Sequence, residues 1–373
     1  MTPNALSSLD EKKILYIHKA GSGWGGAQQG VFDMINHFRT VFRQVHYASN
    51  KCPLFDRIQD LGVQCHEIPI SSVKFFPLTL SALGKLVNKV GPDIVHSNHR
   101  YASILYMSLK KVRSAKAPLL YTARSAFPDK TRFRMLGDTI VAVSESVKKN
   151  LIEEFKIPED KIHVIYNGIE LNGETIPMDE NDPLFEQISR DSKIVIGSIG
   201  SLLPVKGHPY LFLAIQQLPK ELKKKIKLLV VGDGPLRNDL ETQVHQLGLD
   251  DIVTFAGYRK DIHRMIDICN FMVNSSTQEG LSRVVVEAYL RSKPVIATNL
   301  DYVKEVIIKN ESGLVVPTKD CQSLSKALET YIRNPEMAVA HGIRGKSFIS
   351  DRFSLTGMLK NYQNLYNQMI IQN

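Results

Sequence analysis

Two glutamates, Glu279 and Glu287, stand eight positions apart in the sequence, separated by the turn-like segment Glu-Gly-Leu-Ser and an apolar run. The two oxygens of a carboxylate can accept hydrogen bonds from a pair of vicinal hydroxyls. A glutamate pair at this spacing is common by chance. Its meaning therefore depends on the elements that position it.

Apolar runs flank the pair on both sides. Phe271-Met272-Val273 predicts a buried strand, and Val284-Val285-Val286, followed by Ala288, predicts a helix packed on a sheet. These elements place Glu279 in a strand-to-helix loop and Glu287 within the helix. Both glutamates then lie near the carboxyl end of a strand, where open α/β sheets bind ligands.

A second loop, Gly197–Gly207, also follows a predicted strand and precedes a helix, and it ends in Lys206. A cation beside free backbone amides can bind a diphosphate without a metal. The alternative is that Lys206 is only a solvated loop lysine. The strand-loop-helix context favours a functional role.

A third loop of this kind, Gly21–Gly26, lies near the start of the chain between a strand and a helix. A glycine-rich turn at a helix N-terminus suits a phosphate. The loop does not match the dinucleotide-binding pattern. It holds Trp24, the sole tryptophan, which its flanking glycines favour as an exposed lid or platform over a core residue.

Strand-like and helical segments alternate through both halves of the chain. This rhythm predicts mostly parallel, doubly wound sheets, and 373 residues exceed the roughly 250–300 at which a single core stops growing. We expect an N-terminal domain over residues 1–180 and a C-terminal domain over 181–355, joined through the polar stretch Glu174–Asp191. A final helix over 356–373 is expected to cross back to the N-terminal domain.

The net charge of +9 is unevenly distributed. Residues 1–140 hold 19 Lys and Arg against 9 Asp and Glu, while the remainder is nearly balanced. A basic domain predicts an acidic partner, such as an anionic membrane surface, a phosphorylated acceptor or nucleic acid, and the alternative is a solvated basic face. No aromatic-interleaved RNA-binding motif is present, so nucleic acid is not expected.

The four cysteines have no metal-ligand spacing, which predicts reduced thiols in a cytoplasmic protein without a structural zinc site. The first residues lack a signal-peptide pattern, and no apolar run approaches the roughly 20 residues needed to span a bilayer.

Short motifs run along the whole chain. In the second half they are Gly200–Gly207, Val230–Leu236, Gly257-Tyr258 with Asp261, Glu279–Glu287, Lys293–Ala297 and Glu305 with Gly313–Pro317, and in the first half Gly25-Gly26, Pro92–His96, Val143–Glu145 and Val164–Ile169. In this order and spacing they resemble the group 1, or family 4, retaining glycosyltransferases of the GT-B fold, of the bacterial cell-envelope polysaccharide type.

The resemblance implies an α/β protein of GT-B architecture, with two tandem Rossmann-like doubly wound domains and a cleft between them. The implied activity is transfer of a hexose-type sugar from a nucleotide-diphosphate donor, with UDP-sugar favoured. The implied acceptor, bound by the N-terminal domain, is an anionic glycan or glycolipid, either lipid-linked or a lipopolysaccharide or polysaccharide. No cofactor or metal is expected. The implied location is the cytoplasm, with peripheral contact at the anionic inner face of the membrane as an option.

Residue roles follow from the same resemblance. Glu279 aligns with the carboxylate on the donor-sugar hydroxyls, Lys206 with the lysine on the diphosphate, and Glu287 with the carboxylate on the ribose. The full set of implied donor-binding residues is Gly25, Gly26, Ser201, Lys206, Gly280, Leu281, Ser282, Arg283 and Glu287.

The chain also departs from the family pattern. Gly200-Ser201-Leu202 stands where many members have Gly-Arg-Leu, so Lys206 is expected to carry more of the leaving-group charge, or Arg283 or Arg124 to assist it. Asn98 and Arg124 stand where histidines are often found.

Two histidines are candidates for the catalytic or sugar-binding histidine of the family, and both lie near a strand end. His99 is a catalytic candidate, and His96 joins Asn98, Arg124 and Trp24 as a candidate on the acceptor or sugar side. That either histidine is purely structural is an equal alternative. Two further hypotheses for the function of the whole chain remain open: a GT-B nucleotide-sugar epimerase and a non-catalytic binding protein on the same scaffold.

Overall fold

The computed structural model describes residues 9–19, 26–70, 76–125, 137–170, 182, 184, 188, 193–350 and 352–372. The chain divides into two compact units. Unit 1 comprises Met1–Gly168 and Leu355–Asn373, and unit 2 comprises Ile169–Ser354. The domain boundary expected at residue 180 and most of the expected linker lie outside the described residues.

Unit 1 contains a seven-stranded parallel sheet. Its strands are β1 (Lys13–Ile17), β2 (Gln44–Ser49), β3 (Gln64–Glu67), β4 (Ile94–Ser97), β5 (Leu119–Ala123), β6 (Thr139–Ala142) and β7 (Ile162–Val164). They lie side by side in the order β3-β2-β1-β4-β5-β6-β7. The inner strands are buried along most of their length, as expected for a sheet covered on both faces.

Helices connect these strands. Within the described residues they are α1 (Gly26–Phe38), α2 (Pro53–Asp60), α3 (Phe76–Val90), α4 (Arg100–Lys111) and α5 (Glu145–Glu153), with α14 (Leu355–Ile371) added from the end of the chain.

The terminal helix α14 is part of the core of unit 1. Met358, Tyr362, Tyr366 and Met369 recur at helical spacing and are buried in one cluster with residues of α1 and β1. Each large apolar side chain buried in this way contributes roughly 1.5–3 kcal/mol. The Tyr366 hydroxyl also hydrogen-bonds the Tyr16 hydroxyl at 3.1 Å, which joins the helix to the middle of the sheet.

Unit 2 contains a six-stranded parallel sheet. Its strands are β8 (Ile194–Ile199), β9 (Ile226–Val231), β10 (Val253–Gly257), β11 (Phe271–Asn274), β12 (Val295–Thr298) and β13 (Gly313–Val316), in the order β10-β9-β8-β11-β12-β13.

The described helices of unit 2 follow the same alternation. They are α6 (His208–Gln216), α7 (Lys220–Lys223), α8 (Arg237–Gln246), α9 (Ile262–Asp267), α10 (Arg283–Leu290), α11 (Val303–Val306), α12 (Cys321–Arg333) and α13 (Pro335–Ile349). Among the described helices of both units, none is sufficiently long and apolar to cross a membrane.

In each sheet the strands are added first on one side of the first strand and then on the other. The order switches between β1 and β4 in unit 1 and between β8 and β11 in unit 2. At such a switch point the loops leaving the two neighbouring strands diverge and open a crevice at the strands' carboxyl ends. The predicted α/β class with two doubly wound sheets is therefore confirmed. In unit 2, the loop after β8 carries Lys206 and the loop after β11 carries Glu279.

Candidate functional site

Lys206 and Glu279 form an ion pair at the switch point of unit 2, through Nζ and Oε1. The Ser276 hydroxyl donates to the same Glu279 oxygen at 3.1 Å. The side chains of Lys206 and Glu279 are 23% and 14% exposed, so the pair is open to solvent on one side. Two residues that lie 73 positions apart in the sequence are thus brought into contact.

Backbone contacts hold the two loops together. Thr277 N donates to Val205 O at 2.7 Å, and the Ser275 hydroxyl donates to Lys206 O at 3.0 Å. Gly207 has φ +68°, and a Cβ atom there would lie 2.1 Å from Ser275 O. Only glycine fits such a position, so the approach of the loops depends on Gly207.

The loop after β8 is supported from its other side by the turn after β9. Gly200 N donates to Val231 O at 2.9 Å, and Leu202 N donates to Asp233 O at 3.0 Å. Gly232, at φ +135°, sits so close that a Cβ atom would lie 2.0 Å from Gly200 O. Ser201 is half-buried in this loop, and it therefore lies on the same fixed backbone as Lys206.

The loop after β11 is ordered by side-chain hydrogen bonds. Asn274 Nδ2 donates to the Ser282 hydroxyl at 2.7 Å, and Ser276 N donates to Asn274 Oδ1 at 3.3 Å. The Thr298 hydroxyl, at the end of β12, donates to Ser276 O. Gly280, Leu281 and Ser282 are all buried, and Ser282 directly precedes α10 without capping it through its side chain.

A second ion pair lies on α10. Arg283 Nε donates to Glu287 Oε1 at 2.8 Å, one helical turn away, and the side chains are 20% and 10% exposed. The loops after β8 and β11 and the start of α10 thus present two cations and two carboxylates in two ion pairs. Such a set can offer positive charge to a phosphate and hydrogen-bond acceptors to hydroxyls.

His208, which the sequence reading did not single out, directly follows the Lys206 loop and is buried. Burial and the nearby Lys206 charge lower the pKa of His208 to about 4. Its imidazole is therefore neutral at pH 7, and it adds no charge to the site.

In unit 1, Arg124 is held by two side-chain amides at the carboxyl end of β5. Its Nη2 donates to Asn98 Oδ1 at 3.0 Å, and its Nη1 donates to Asn167 Oδ1 at 2.9 Å. Its guanidinium packs against Gly30 of α1, where a Cβ atom would lie 2.8 Å from Nη1. The structure therefore brings Asn98 and Arg124 together.

Of the predicted residues in the glycine-rich loop, Gly26 begins α1, whereas Trp24 and Gly25 lie outside the described residues.

His96 is fully buried within unit 1. Its Nδ1 hydrogen-bonds the Tyr366 hydroxyl at 2.7 Å, and its Nε2 hydrogen-bonds the Thr122 hydroxyl at 2.8 Å. Burial lowers the pKa of His96 well below its ordinary value, and the Arg124 charge adds to this. Both ring nitrogens of His96 are hydrogen-bonded inside the unit, so its contacts are those of a structural histidine.

His99 lies at the start of α4, where its Nδ1 accepts from Tyr101 N at 3.1 Å and so caps the helix. Burial, with the charges of Lys19 and Arg100, lowers the pKa of His99 to about 4. Because Nδ1 is the acceptor, the neutral ring carries its proton on Nε2. His99 is therefore placed as a neutral hydrogen-bond donor.

His18 is a candidate that the sequence reading missed. It directly follows β1, it is buried, and neither ring nitrogen has a hydrogen-bond partner among the described residues. Burial, together with the neighbouring His99 and Arg124, lowers its pKa to about 3. Its ring lies 6.4 Å from that of His99. In the sequence, only the position of His18 at a strand end just before the Gly21–Gly26 loop could have indicated it as a site residue.

Two family models match successive parts of the chain. The model described as glycosyl transferases group 1 matches residues 180–348, and the model described as Glycosyltransferase Family 4 matches residues 24–172. Together the matched segments take in both units.

Curated relatives agree with these models. The chain is 24% identical over 370 residues to the putative glycosyltransferase EpsF of Bacillus subtilis, covering 93% of each protein. It is 26% identical over 212 residues, 57% of this chain and 55% of the relative, to the N-acetylgalactosamine-N,N'-diacetylbacillosaminyl-diphospho-undecaprenol 4-alpha-N-acetylgalactosaminyltransferase of Campylobacter jejuni.

Among solved structures, the chain is similar to HepE of Anabaena in complex with UDP-glucose. The TM-score is 0.83 with 20% sequence identity, over 96% of this chain and 100% of HepE. At this identity the likeness concerns the fold, and it agrees with the two doubly wound units described above. The fold is therefore GT-B.

Proposed function

The chain belongs to the group 1 glycosyltransferases, and from this premise we propose that it transfers a hexose-type sugar from a nucleotide-diphosphate donor with retention of anomeric configuration. The observation that carries the proposal is the pair of ion pairs in unit 2, Lys206 with Glu279 and Arg283 with Glu287, at the switch point of a doubly wound sheet. We favour a UDP-sugar, supported by the UDP-glucose complex of HepE.

Donor binding follows from the charges. A diphosphate competes with Glu279 for the Lys206 ammonium, because phosphate oxygens are strong charge-assisted acceptors. The released Glu279 carboxylate then accepts from sugar hydroxyls. Glu287 accepts from the ribose hydroxyls. Arg283, at the start of α10 beside it, supplies a second cation, in a chain that has Ser201 where many family members have arginine.

In the proposed reaction the acceptor hydroxyl attacks the anomeric carbon on the face from which the nucleoside diphosphate leaves. The departing phosphate oxygen takes the proton of the incoming hydroxyl. Lys206 and backbone amides of the fixed loops stabilise the departing diphosphate, and one preorganised donor of this kind is worth roughly 2.7–4 kcal/mol. These groups serve where other enzymes use a metal, so we propose metal-independent chemistry.

We assign the acceptor to unit 1. Asn98, Arg124 and His99 at its strand ends offer hydrogen-bond donors to a glycan, and Arg124 offers a charge to an anionic one. The Campylobacter jejuni relative is named for an undecaprenol-linked acceptor, which supports a lipid-linked or cell-envelope polysaccharide acceptor.

A donor screen tests the proposal. The full chain is melted with UDP-, GDP- and ADP-sugars, and the stabilising donor is incubated with a cell-envelope extract, with product mass and anomeric configuration as readouts. We expect one nucleotide class to raise the melting temperature and the product to gain one sugar with retained configuration. Conversion of the donor without sugar transfer identifies an epimerase, and no donor response at all identifies a non-catalytic binding protein.

Peripheral contact with an anionic membrane is a separate part of the proposal. The end of α4 and the segment after it expose Lys111, Lys116 and the apolar Val112, which is 66% exposed. Basic residues near an anionic surface contribute roughly 1 kcal/mol each. We expect binding to phosphatidylglycerol vesicles that weakens with salt and in the Lys111→Glu/Lys116→Glu double variant. Binding unaffected by both would contradict this part, and a Lys224→Glu variant in unit 2 is the control.

A further inference from the structure

The outer face of α13 carries apolar side chains that do not pack into the core of unit 2. Among the described residues, three of the eight exposed large apolar side chains lie on this one helix: Met337, Val339 and Ile343, which are 40%, 56% and 57% exposed. A surface helix ordinarily turns its large apolar residues toward the core. A contiguous exposed apolar patch is instead typical of an interaction site.

The inner face of α13 explains this orientation. Its buried residues include Gly342 and Gly345. A Cβ atom at Gly342 would lie 2.1 Å from Ser292 O, and one at Gly345 would lie 2.2 Å from Tyr289 Cδ1. The helix can pack this closely only with its small residues inward, because larger side chains do not fit. The larger apolar residues of the helix therefore face outward.

Two opposite charges share the outer face with Val339 and Ile343. Glu336, Val339, Ile343 and Lys346 stand at positions i, i+3, i+7 and i+10, which lie on one side of a helix. Neither Glu336 nor Lys346 has an ion pair among the described residues. Ten residues of helix separate the two charges by about 15 Å, so they cannot pair with each other within one chain.

The helix dipole accounts for only part of this pattern. It favours an acidic residue near the start of a helix and a basic residue near its end, as with Glu336 and Lys346. It gives no reason for the exposed apolar residues between them. A partner that covers the apolar residues and also neutralises both charges accounts for the whole face.

A second copy of α13, packed antiparallel about a two-fold axis, is such a partner. In a two-fold pair, residues at equal distances on either side of the midpoint face each other. The midpoint between Glu336 and Lys346 is His341, and so is the midpoint between Val339 and Ile343. One register therefore sets each Glu336 opposite a Lys346, and each Val339 opposite an Ile343, of the other copy.

The shape of the surface also suits a second helix. A groove of about 390 Å³ is lined by Pro335, Glu336, Val339, Ala340 and Ile343. Ala340 is small and directly precedes the midpoint, where the two helix axes come closest. Because the distance between packed helices depends on the side chains at the contact, an alanine there permits close approach.

We propose that this chain forms a dimer through α13, with the outer faces of two copies packed antiparallel about a two-fold axis. The helix is 15 residues long, and one helix face on each copy buries less area than a standard interface. The dimer is therefore weak and reversible. It requires no residue of the candidate site and stands independently of the proposed reaction.

Sedimentation velocity of the full chain, over a range of micromolar concentrations, tests the dimer. Wild type is expected to show a concentration-dependent equilibrium between monomer and dimer. Ile343→Asp should raise the Kd about tenfold or more, because it buries a carboxylate within the contact. Val112→Asp, at a similarly exposed apolar position of unit 1, is the control and should leave the Kd unchanged.

Charge reversal tests the register. Glu336→Lys and Lys346→Glu should each raise the Kd about tenfold, because like charges then face each other twice across the axis. An equimolar mixture of the two variants should dimerise with a Kd near that of wild type, because each reversed charge meets an opposite charge in the other copy. Such a rescue requires direct contact between the two faces.

Three results would overturn the proposal. The first is a wild type that stays monomeric at the highest concentration, and if it then binds phosphatidylglycerol vesicles through this face, Ile343→Asp will abolish that binding. The second is a dimer with the same Kd in wild type and Ile343→Asp. The third is weakening by both charge reversals without rescue in the mixture. Thermal melts check the fold of each variant, and Val339→Asp repeats the test if Ile343→Asp melts below wild type.

Discussion

The first six strands have the same order in both units, but the side chains at their carboxyl ends differ in charge and pairing. At the switch point of unit 2, Lys206 and Arg283 are each paired with a glutamate. At the strand ends of unit 1, Arg124 is held by the amides of Asn98 and Asn167. His18 lies near both Arg124 and His99, and the pKa values of the two histidines are strongly lowered.

The difference follows from the cost of burying charge. A partly buried charge is tolerated when it is paired, and the candidate site of unit 2 pairs four of them without a ligand. Unit 1 instead keeps its histidines neutral, because burial disfavours the imidazolium form. Unit 2 is therefore suited to a ligand that carries charge of its own, and unit 1 to one recognised mainly by hydrogen bonds, with Arg124 as its charged group.

The sharpest test of this comparison removes a charge from unit 2. Lys206→Ala should lower kcat/KM by about 100- to 1000-fold, since one preorganised donor to a leaving group is worth roughly 2.7–4 kcal/mol. Steady-state kinetics measure the loss, and a thermal melt checks the fold. Lys224→Ala, an exposed lysine of the same unit, is the control. Near wild-type turnover in Lys206→Ala would remove Lys206 from the mechanism.

The second prediction concerns the contact between the loops that carry the pair. Gly207→Ala should destabilise unit 2 by at least about 3 kcal/mol, combining the penalty of a positive φ with overlap on Ser275 O. Gly248→Ala has a similar φ, +63°, but no atom within 4 Å, and should cost only about 1–2 kcal/mol. Urea unfolding measures both. Equal losses would show that the close contact does not matter.

The third prediction tests unit 1. Arg124→Lys keeps the charge but cannot bond Asn98 and Asn167 in the same forked geometry. We expect the acceptor KM to rise about tenfold, with donor affinity unchanged, as a lost charge-assisted hydrogen bond implies. The control is Arg39→Lys, on the exposed surface of unit 1. A donor-side defect in Arg124→Lys would instead place Arg124 with the diphosphate.

The smallest expected effect is on acid stability. Burial lowers the pKa of His18 to about 3, and burial and neighbouring charges lower the pKa values of His46 and His99 to about 4, against an ordinary 6.5. The unfolded chain therefore binds more protons below pH 6.5, so stability is complete above that pH and falls as the pH drops from 6.5 toward 4.

Unit 1 holds these three histidines, whereas in unit 2 only His208 among the described residues has a pKa lowered to about 4. Hydrogen exchange resolved by unit, at pH 7 and pH 5 and corrected for intrinsic rates, should show unit 1 losing more protection. Equal loss in both units would contradict the contrast between them.

Much of this molecule follows from local sequence pattern. Apolar runs separated by glycine-rich turns predicted parallel doubly wound sheets, and the order of motifs predicted a group 1 glycosyltransferase; both are confirmed. Lys206 and Glu279 could be chosen from sequence because each lies in a loop directly after a strand. Their roles in binding and catalysis stay predictions.

Only the tertiary structure decided which of these groups meet. The sheet order places β8 beside β11, and so joins Lys206 to Glu279 across 73 positions. The same long-range packing buries His96 against Tyr366 of the terminal helix. Residue type and spacing fix what a side chain can do, but burial and neighbours from distant strands decide whether it is charged, paired or free to act.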